Sequence, residues 1–380
     1  MIDCMPKIIE KERKAIIKNE MLRFLSIDGR ASIDSISKHL KMPKATTYSI
    51  FNEVVKEYGL HFVPEIDLED IWKHEFIRIS KHKSTKREMR EEALAKIPEL
   101  GVEEYITFIK FNKGVPNDEE ITRALSNFTV PQFVAKLHGE EDLVIYEVAK
   151  SFYNLNKFLI NFSKNLKDYN MLVNTSRIVT AFGFFPIRNE LIDELMLSGS
   201  AKALLEGLNI DGRGEIKEIA KRFYQKPELL LYTMERLKES GLLKRITYFE
   251  AQPKSNINGI IKIAITNTSD FLDSRNKWFA ELVKMKPDEH LKYVYICDIL
   301  NPSGILVFVN LSSNEEIDNL LNNMRKVIKG AEISYITMTK TLLGNLGIRN
   351  FDMRYSNQYK HLELEGLVPK VQRKEEKIRA

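Results

Sequence analysis

The chain carries an internal repeat, and this repeat limits its fold more than any other feature of the sequence. The segment LRFLSIDGRASIDSISKHL at 22–40 aligns with ALLEGLNIDGRGEIKEIAKRF at 203–223, and both contain the tetrapeptide IDGR. Such self-similarity predicts that one supersecondary unit occurs twice. The 380 residues also exceed what one ordinary core accommodates, so we expect several domains.

Each copy has the pattern of a helix-turn-helix. An apolar helix precedes IDGR, and isoleucines after it fall on one face of a short amphipathic helix. Each copy then restarts after a proline with a longer helix that ends at a glycine, which is the usual placement of these two residues. The β-prone segments at 61–66 and 244–250 follow these longer helices and are predicted to form wings.

A second pattern repeats after each predicted wing. In the first copy it comprises a strand at 103–112, a helix at 118–128, hairpin strands at 130–139 and 142–150, a helix at 152–166 and a strand at 172–181. In the second copy it comprises a strand at 257–266, a helix at 269–285, strands at 291–299 and 305–311, a helix at 314–328 and a strand at 332–339. This βαββαβ order is that of a ferredoxin-like domain, with one sheet face under two helices and the other free to pack on another sheet.

The fold class predicted from these patterns is α+β, with two winged helix-turn-helix domains each followed by a ferredoxin-like βαββαβ domain. The predicted domains are a winged helix-turn-helix at 1–72, a ferredoxin-like sensing or assembly domain at 73–185 with a basic helical insertion at 84–98, a second winged helix-turn-helix at 186–250, a second ferredoxin-like domain at 251–370 and a basic tail at 371–380.

Composition excludes several classes of protein. The chain is 43% hydrophobic and 29% charged, which is ordinary for a globular protein and unlike a disordered chain. It has no run of about 18 apolar residues and no apolar leader, so we expect a cytoplasmic protein without a membrane partner. Cys4 and Cys297 stand apart from each other and from any histidine, so neither a disulfide framework nor a metal site is predicted, and no cofactor is expected.

Positive charge is concentrated in one segment. The net charge is only +5, but the segment 73–90 holds seven basic residues against two acidic ones. Such a run is typical of a surface that contacts phosphates, and a solvated helix face would explain it equally well.

Several motifs together resemble the leucine-responsive regulator (Lrp/AsnC) family of bacteria and archaea. They are Asp28-Gly29-Arg30 after the first helix, the linker PEIDLE at 64–69, the hairpin turn Gly139-Glu140-Glu141-Asp142 and the hydrophobic helix at 153–166. The resemblance implies transcription regulation through double-stranded DNA and a small-molecule effector such as an amino acid. Ordinary members carry one such unit and pair through their sheets. A chain with two units therefore resembles a pseudo-dimer within one chain, and whether it also forms a homodimer stays open.

The third helix of the first copy, at 44–58, is the predicted reader of the DNA major groove. The side chains predicted to face DNA are Lys44, Thr46, Thr47, Ser49, Asn52 and Lys56, and those predicted to face the core are Ala45, Tyr48, Phe51, Val55 and Tyr58. Additional contacts to the phosphate backbone are predicted for Lys81, Lys83, Lys86, Arg87 and Arg90. The second copy has Glu228 followed by three leucines at the corresponding helix start, which favours packing over DNA contact.

The resemblance also implies an effector site at the hairpin turn of the first ferredoxin-like domain. It would comprise His138, Gly139, Glu140 and Asp142, where glycine permits close backbone approach and Asp142 could hold an ammonium group. An ordinary tight turn explains these residues equally well.

An enzyme is the alternative class, because the same architecture resembles that of siroheme decarboxylases of an alternative haem pathway. In those enzymes histidines and basic residues handle the carboxylates of a tetrapyrrole. The seven histidines of this chain show no catalytic spacing, so the sequence favours a regulator that is not an enzyme.

Overall fold

The computed structural model describes residues 5–68, 102–183, 185–195, 197–250, 257–284 and 293–344. The predicted insertion at 84–98, the basic residues proposed at 81–90 and the basic tail lie outside the described residues. Within the described ranges, no helix is both long enough and apolar enough to cross a membrane.

The order of elements is the same in the two copies, except that the second copy begins with an additional short helix. The first copy contains α1 (Met5–Ile27), α2 (Ile33–Leu40), α3 (Lys44–Tyr58), β1 (Leu60–Ile66), β2 (Glu103–Phe111), α4 (Asp118–Leu125), β3 (Pro131–His138), β4 (Leu143–Ala149), α5 (Phe152–Asn165) and β5 (Met171–Phe182). The second copy contains α6 (Asn189–Glu194), α7 (Gly199–Ile210), α8 (Ile216–Arg222), α9 (Pro227–Glu239), β6 (Leu243–Glu250), β7 (Ile257–Ile265), α10 (Thr268–Lys284), β8 (Tyr293–Leu300), β9 (Gly304–Leu311), α11 (Asn314–Val327) and β10 (Ala331–Leu343). These bounds confirm the predicted order of helices and strands.

Local signals explain where several helices begin and end. Ser32 caps α2 by accepting a hydrogen bond from the backbone N–H of Ser35. Asn117 and Glu120 form a reciprocal capping box at α4. Helix α3 ends at Gly59, whose φ of 57° is a left-handed conformation that glycine adopts without steric cost. Such caps satisfy backbone groups that a helix end would otherwise leave without partners.

The predicted wings are the main correction to the fold. Strands β1 and β6 do form at the predicted positions, but in the described part of the chain they pair with each other as a two-stranded antiparallel sheet. Phe62 lies opposite Tyr248, and both side chains are buried between the two helix-turn-helix copies. Apolar side chains on both strands therefore join the copies. A pattern within one copy could not reveal this pairing, because the partner strand lies in the other copy.

The two IDGR turns bind each other, which explains why the tetrapeptide occurs twice. Arg30 donates to the carbonyl oxygens of Gly212 and Gly214 at 2.9 and 3.0 Å. Arg213 reciprocally donates to the carbonyl oxygens of Gly29 and, at 2.9 Å, Ala31.

The glycines of the two turns allow each turn to lie close to a strand of the other copy, Gly29 against β6 and Gly212 against β1. A Cβ atom on Gly212 would lie 2.7 Å from the backbone of Phe62, closer than van der Waals contact allows. The two IDGR segments thus form a structural contact between the copies, which are related by a pseudo-two-fold axis.

The two four-stranded ferredoxin-like sheets form one barrel. The first sheet has the order β3-β4-β2-β5 and the second β8-β9-β7-β10, and their edges join as β5–β8 and β10–β3 to close an eight-stranded barrel. The sequence predicted packing of free sheet faces and did not predict edge-to-edge closure. Closure pairs the edge strands, whose backbone groups would otherwise stay open.

Acidic side chains form ion pairs and hydrogen bonds at both junctions of the barrel. At the β5–β8 junction, Asp298 accepts from Thr180 at 2.5 Å and from the guanidinium of Arg275. At the β10–β3 junction, Asp118 binds the ammonium groups of Lys136 and Lys340 at 2.9 and 2.5 Å. The two junctions therefore use acids from different elements for the same purpose.

The barrel interior is a packed core. Side chains of both sheets meet there, and the rings of Phe133, Tyr146, Phe185, Tyr295 and Phe308 lie with centroids 4.4–6.5 Å apart. This interior is continuous with the core of the helix-turn-helix layer. Two further cores lie outside the barrel, each between one sheet and its own helices.

Candidate functional site

The predicted DNA-reading helix exists at its predicted bounds, but its faces differ from the prediction. Thr47 is fully buried and its hydroxyl donates to the carbonyl oxygen of Pro43 at 3.0 Å, so it does not face outward as predicted. Tyr48, predicted to face the core, is 57% exposed, and Ala45 is exposed as well. The other predicted readers are exposed: Lys44, Thr46, Ser49, Asn52 and Lys56. The buried stripe therefore runs through Thr47, Ile50 and Val54.

The positive charge at the front of α3 is partly offset by one acidic side chain, which two lysines share. Lys44 and Lys38 bind Asp34 at 2.5 and 2.7 Å, and these two ammonium groups lower the pKa of Asp34 to about 2. The carboxylate therefore stays charged at neutral pH beside the proposed phosphate-binding lysine.

The predicted effector turn lies between β3 and β4. His138, Gly139 and Glu140 are exposed. Asp142 accepts a hydrogen bond from the backbone N–H of Phe111 at 2.8 Å and binds Lys110 at 3.0 Å. Both oxygens of Asp142 thus already accept bonds from the protein, as in a structural turn. The effector assignment of these residues stays a prediction.

Histidines and cysteines do not form a site in the part of the chain that the structure describes. No group of three or more His, Cys, Asp or Glu side chains there could hold a metal ion. His39 stacks on Phe24 with ring centroids 4.3 Å apart, and His61 stacks on Phe249 at 5.2 Å. Burial raises the pKa of Cys297 well above its usual value, which makes its thiol a poor nucleophile.

A group of polar side chains on the outer face of the first sheet has the features of a chemical site. We call it the Glu147 cluster, and it comprises Glu103, Tyr105, Thr107, Glu147, Thr175 and Arg177. Strands β4, β2 and β5 place these residues side by side, because Tyr105 lies opposite both Glu147 and Arg177, and Thr107 lies opposite Thr175.

The inner part of the cluster is a buried carboxyl group connected to two hydroxyls. Glu147 has no exposed surface, and its Oε2 lies 2.9 Å from the Thr107 hydroxyl, which lies 2.9 Å from the Thr175 hydroxyl. Among the described residues, Glu147 Oε1 has no hydrogen-bond partner. Burial raises the pKa of Glu147 well above its usual value, because an ionised carboxylate would lose its hydration there. The hydrogen bond from Thr107 lowers this pKa, but burial is the larger effect and favours the neutral form of Glu147.

The outer part of the cluster carries an ion pair near the surface. Arg177 binds Glu103 at 2.8 Å and keeps 57% of its side chain exposed. Tyr105 donates to the other carboxylate oxygen of Glu103, and burial together with this bond raises the pKa of Tyr105, which stays a neutral phenol. Phe152, at the start of α5, lies beside Tyr105 and is 56% exposed.

This arrangement could act on a bound carboxylic acid in two ways. A guanidinium pairs with a carboxylate through planar, charge-assisted hydrogen bonds. A neutral carboxylic acid donates a proton, and hydroxyl groups can pass it on. Sequence reasoning missed the cluster, although one signal was present. Glu147 is the only charged residue in the otherwise apolar strand LVIYEVA, and charged side chains are almost never buried without a specific reason.

Comparisons with known proteins find the same fold in solved structures, whereas no family model and no curated protein matches the sequence. The solved structure of the siroheme decarboxylase NirDL matches 92% of this chain and 99% of its own, with a TM-score of 0.53 and 14% identity. Its complex with an iron-uroporphyrin III analogue matches 91% and 98%, with a TM-score of 0.51 and 12% identity. The regulator LrpC of B. subtilis matches 38% of this chain and 95% of its own, with a TM-score of 0.32 and 16% identity.

These matches correct two predictions. The chain was predicted to be a DNA-binding transcription regulator and not an enzyme. The structure of NirDL, which is similar to this chain across both copies, is that of an enzyme. The physical reason for the error is that one fold supports different functions, so the helix-turn-helix pattern reports architecture and not chemistry.

Proposed function

We propose that this chain is a decarboxylase that acts on carboxylate side chains of a tetrapyrrole of the siroheme type. The observation that carries the proposal is the likeness to siroheme decarboxylase NirDL, which extends through both copies of the repeat and 99% of that chain. The Glu147 cluster supplies chemistry that suits the same reaction.

Removal of a carboxyl group without an oxidant needs two things from a protein. The C–C bond to the carboxylate breaks, CO2 leaves, and the electron pair stays on the remaining carbon, which then takes up a proton. The protein must hold the carboxylate and provide the proton. Arg177 offers the cation, and Glu147 is held in its neutral form.

The test is incubation of the purified full chain with siroheme, followed by measurement of released CO2 and of the product's mass. We expect CO2 release matched by a product that is lighter by the same number of CO2 units. Arg177→Gln should raise KM about tenfold or more, because a charge-assisted bond contributes about 1.5–3 kcal/mol. Arg123→Gln, at an exposed arginine of α4, is the matched control and should leave KM unchanged. Siroheme that binds without any loss of CO2 would contradict the proposed function.

A further inference from the structure

The two ferredoxin-like sheets carry different residues at the positions of the Glu147 cluster. Strand pairing gives the correspondence, because Tyr146 and Phe308 occupy the same register position opposite Ile106 and Ile260. By this register, Glu147 corresponds to Val309, Thr107 to Ile261 and Thr175 to Tyr335. The second copy thus has three apolar or aromatic side chains where the first has an acid and two hydroxyls.

Packing in the second copy shows that the fold does not require polar residues at these positions. Val309 and Ile261 are fully buried in the outer core of the second sheet. The ring of Tyr335 lies directly over Gly259, where a Cβ atom would come within 2.4 Å of ring carbons. Tyrosine therefore fills this space in the second copy. In the first copy the smaller, partly exposed Thr175 occupies the same position.

A buried acid is costly in a place where valine packs well. Burying a polar group with an incomplete set of hydrogen bonds destabilises the folded state, and the second copy avoids that cost. Because the same sheet position is apolar in one copy and acidic in the other, architecture alone does not account for Glu147.

The hydroxyls give the buried acid a route to the surface. Thr107 is fully buried and Thr175 is partly exposed, so the contacts from Glu147 to Thr107 to Thr175 lead outward. Arg177 lies two residues further along β5 on the same face of the sheet. A carboxylate held by Arg177 would therefore lie beside the outer end of this chain of hydroxyls.

We propose that the first copy alone holds the reaction site, where Arg177 binds a substrate carboxylate and Glu147 supplies, through Thr107 and Thr175, the proton that replaces CO2. The proposal rests on the proposed function. The Thr107 hydroxyl donates to Glu147 Oε2 in the resting structure, so it first turns toward Thr175. The proton then leaves the Glu147 carboxyl, each hydroxyl accepts one proton as it donates another, and the substrate carbon gains the last one. Solvent then returns a proton to Glu147 by the same route. No oxidant or reductant takes part.

The test compares the first copy with its matched position in the second. Glu147→Gln keeps the shape of the side chain and removes the acid, and Thr107→Val breaks the route. Each should lower kcat about a hundredfold or more with KM unchanged, as expected when a positioned acid is lost. Glu147→Asp should restore part of kcat. Tyr335→Phe, which removes a hydroxyl at the position matching Thr175, should leave kcat and KM as in the wild type.

The pH profile separates proton supply from a structural role. Wild-type kcat should fall as pH rises through the raised pKa of Glu147, and the residual kcat of Glu147→Gln should not show this fall. Wild-type kcat in the folded Glu147→Gln variant, or a loss equal to that of Tyr335→Phe, would overturn the proposal while leaving decarboxylation intact.

A second measurement decides the proposal if siroheme proves not to be the substrate. Infrared spectra should show the carbonyl band of a protonated carboxyl group in the wild type and not in Glu147→Gln. Binding of uroporphyrin III, used as a carboxylate-rich probe, should shift this band in the wild type and not in Arg177→Gln. Absence of the band, or a band that does not respond to the bound probe, would overturn the proposal independently of any activity.

Discussion

At the scale of single residues, burial of Glu147 links proton binding to stability. The ordinary pKa of a glutamate is 4.5, and burial raises that of Glu147 well above this value in the folded chain. Between these two values the folded chain keeps a proton that the unfolded chain loses. The contribution of Glu147 to stability is therefore fully present below pH 4.5 and is lost as pH rises through the raised pKa.

This linkage predicts how Glu147→Gln changes the stability profile. Glutamine cannot ionise, so the free energy of unfolding of the variant should exceed that of the wild type by an amount that grows with pH above 4.5. Urea unfolding of both proteins at a series of pH values measures this difference. Glu119→Gln, at an exposed acid of α4, is the control and should follow the wild type. If the free energies of unfolding of Glu147→Gln and wild type instead change with pH in parallel, Glu147 is already ionised in the folded chain.

At the scale of elements, the two IDGR turns act as a mutual clamp. Arg30 and Arg213 are partly buried next to each other, and burial lowers the pKa of each guanidinium, with Arg30 lowering that of Arg213 further. Asp28 and Asp211 act in the opposite direction. Arginine stays charged despite this environment, and its planar fork serves two carbonyl oxygens at once.

The clamp predicts coupled losses of stability. Arg30→Ala and Arg213→Ala should each lower the free energy of unfolding by about 1.5–3 kcal/mol. Because each arginine holds the turn that carries the other, the double variant should lose less than the sum, which a double-mutant cycle measures. Arg222→Ala, at an exposed arginine of α8, should change stability by less than about 0.5 kcal/mol. Strict additivity of the two clamp variants would contradict mutual support.

At the scale of the whole molecule, the helix-turn-helix layer and the barrel share one core. Leu208 of α7 and Leu306 of β9 are both buried in the cluster that runs from the helical layer into the barrel interior. The division into four domains stays a prediction. A continuous core favours a single cooperative unfolding transition for the described parts of the chain.

Two core variants test this cooperativity. Leu208→Ala and Leu306→Ala should each lower the free energy of unfolding by about 2–5 kcal/mol. Far-ultraviolet ellipticity and tryptophan fluorescence should still report coincident transitions in both variants. Leu231→Ala, at a leucine that is 46% exposed, is the control and should have a small effect. A separate early transition in either core variant would show that the layer and the barrel unfold independently.

Much of the fold could be predicted from the local sequence pattern. Particular residues show where the local pattern was not sufficient. The alternation in β2 predicted that strand, because a strand's own periodicity carries this information. In α3, Thr47 is buried and Tyr48 exposed, against prediction, because polarity alone does not tell which side of a short helix meets its neighbours. None of the residues of the Glu147 cluster was predicted, since they lie on three strands that only pairing brings together.

The amino-acid sequence alone determined the repeat, the order of helices and strands and the caps, because these depend on residues close together along the chain. Tertiary structure alone decided that β1 pairs with β6, that two sheets close into one barrel, and that Thr107 contacts both Glu147 and Thr175. These contacts join residues far apart in the chain, so their free energy depends on burial and register, which no local pattern encodes.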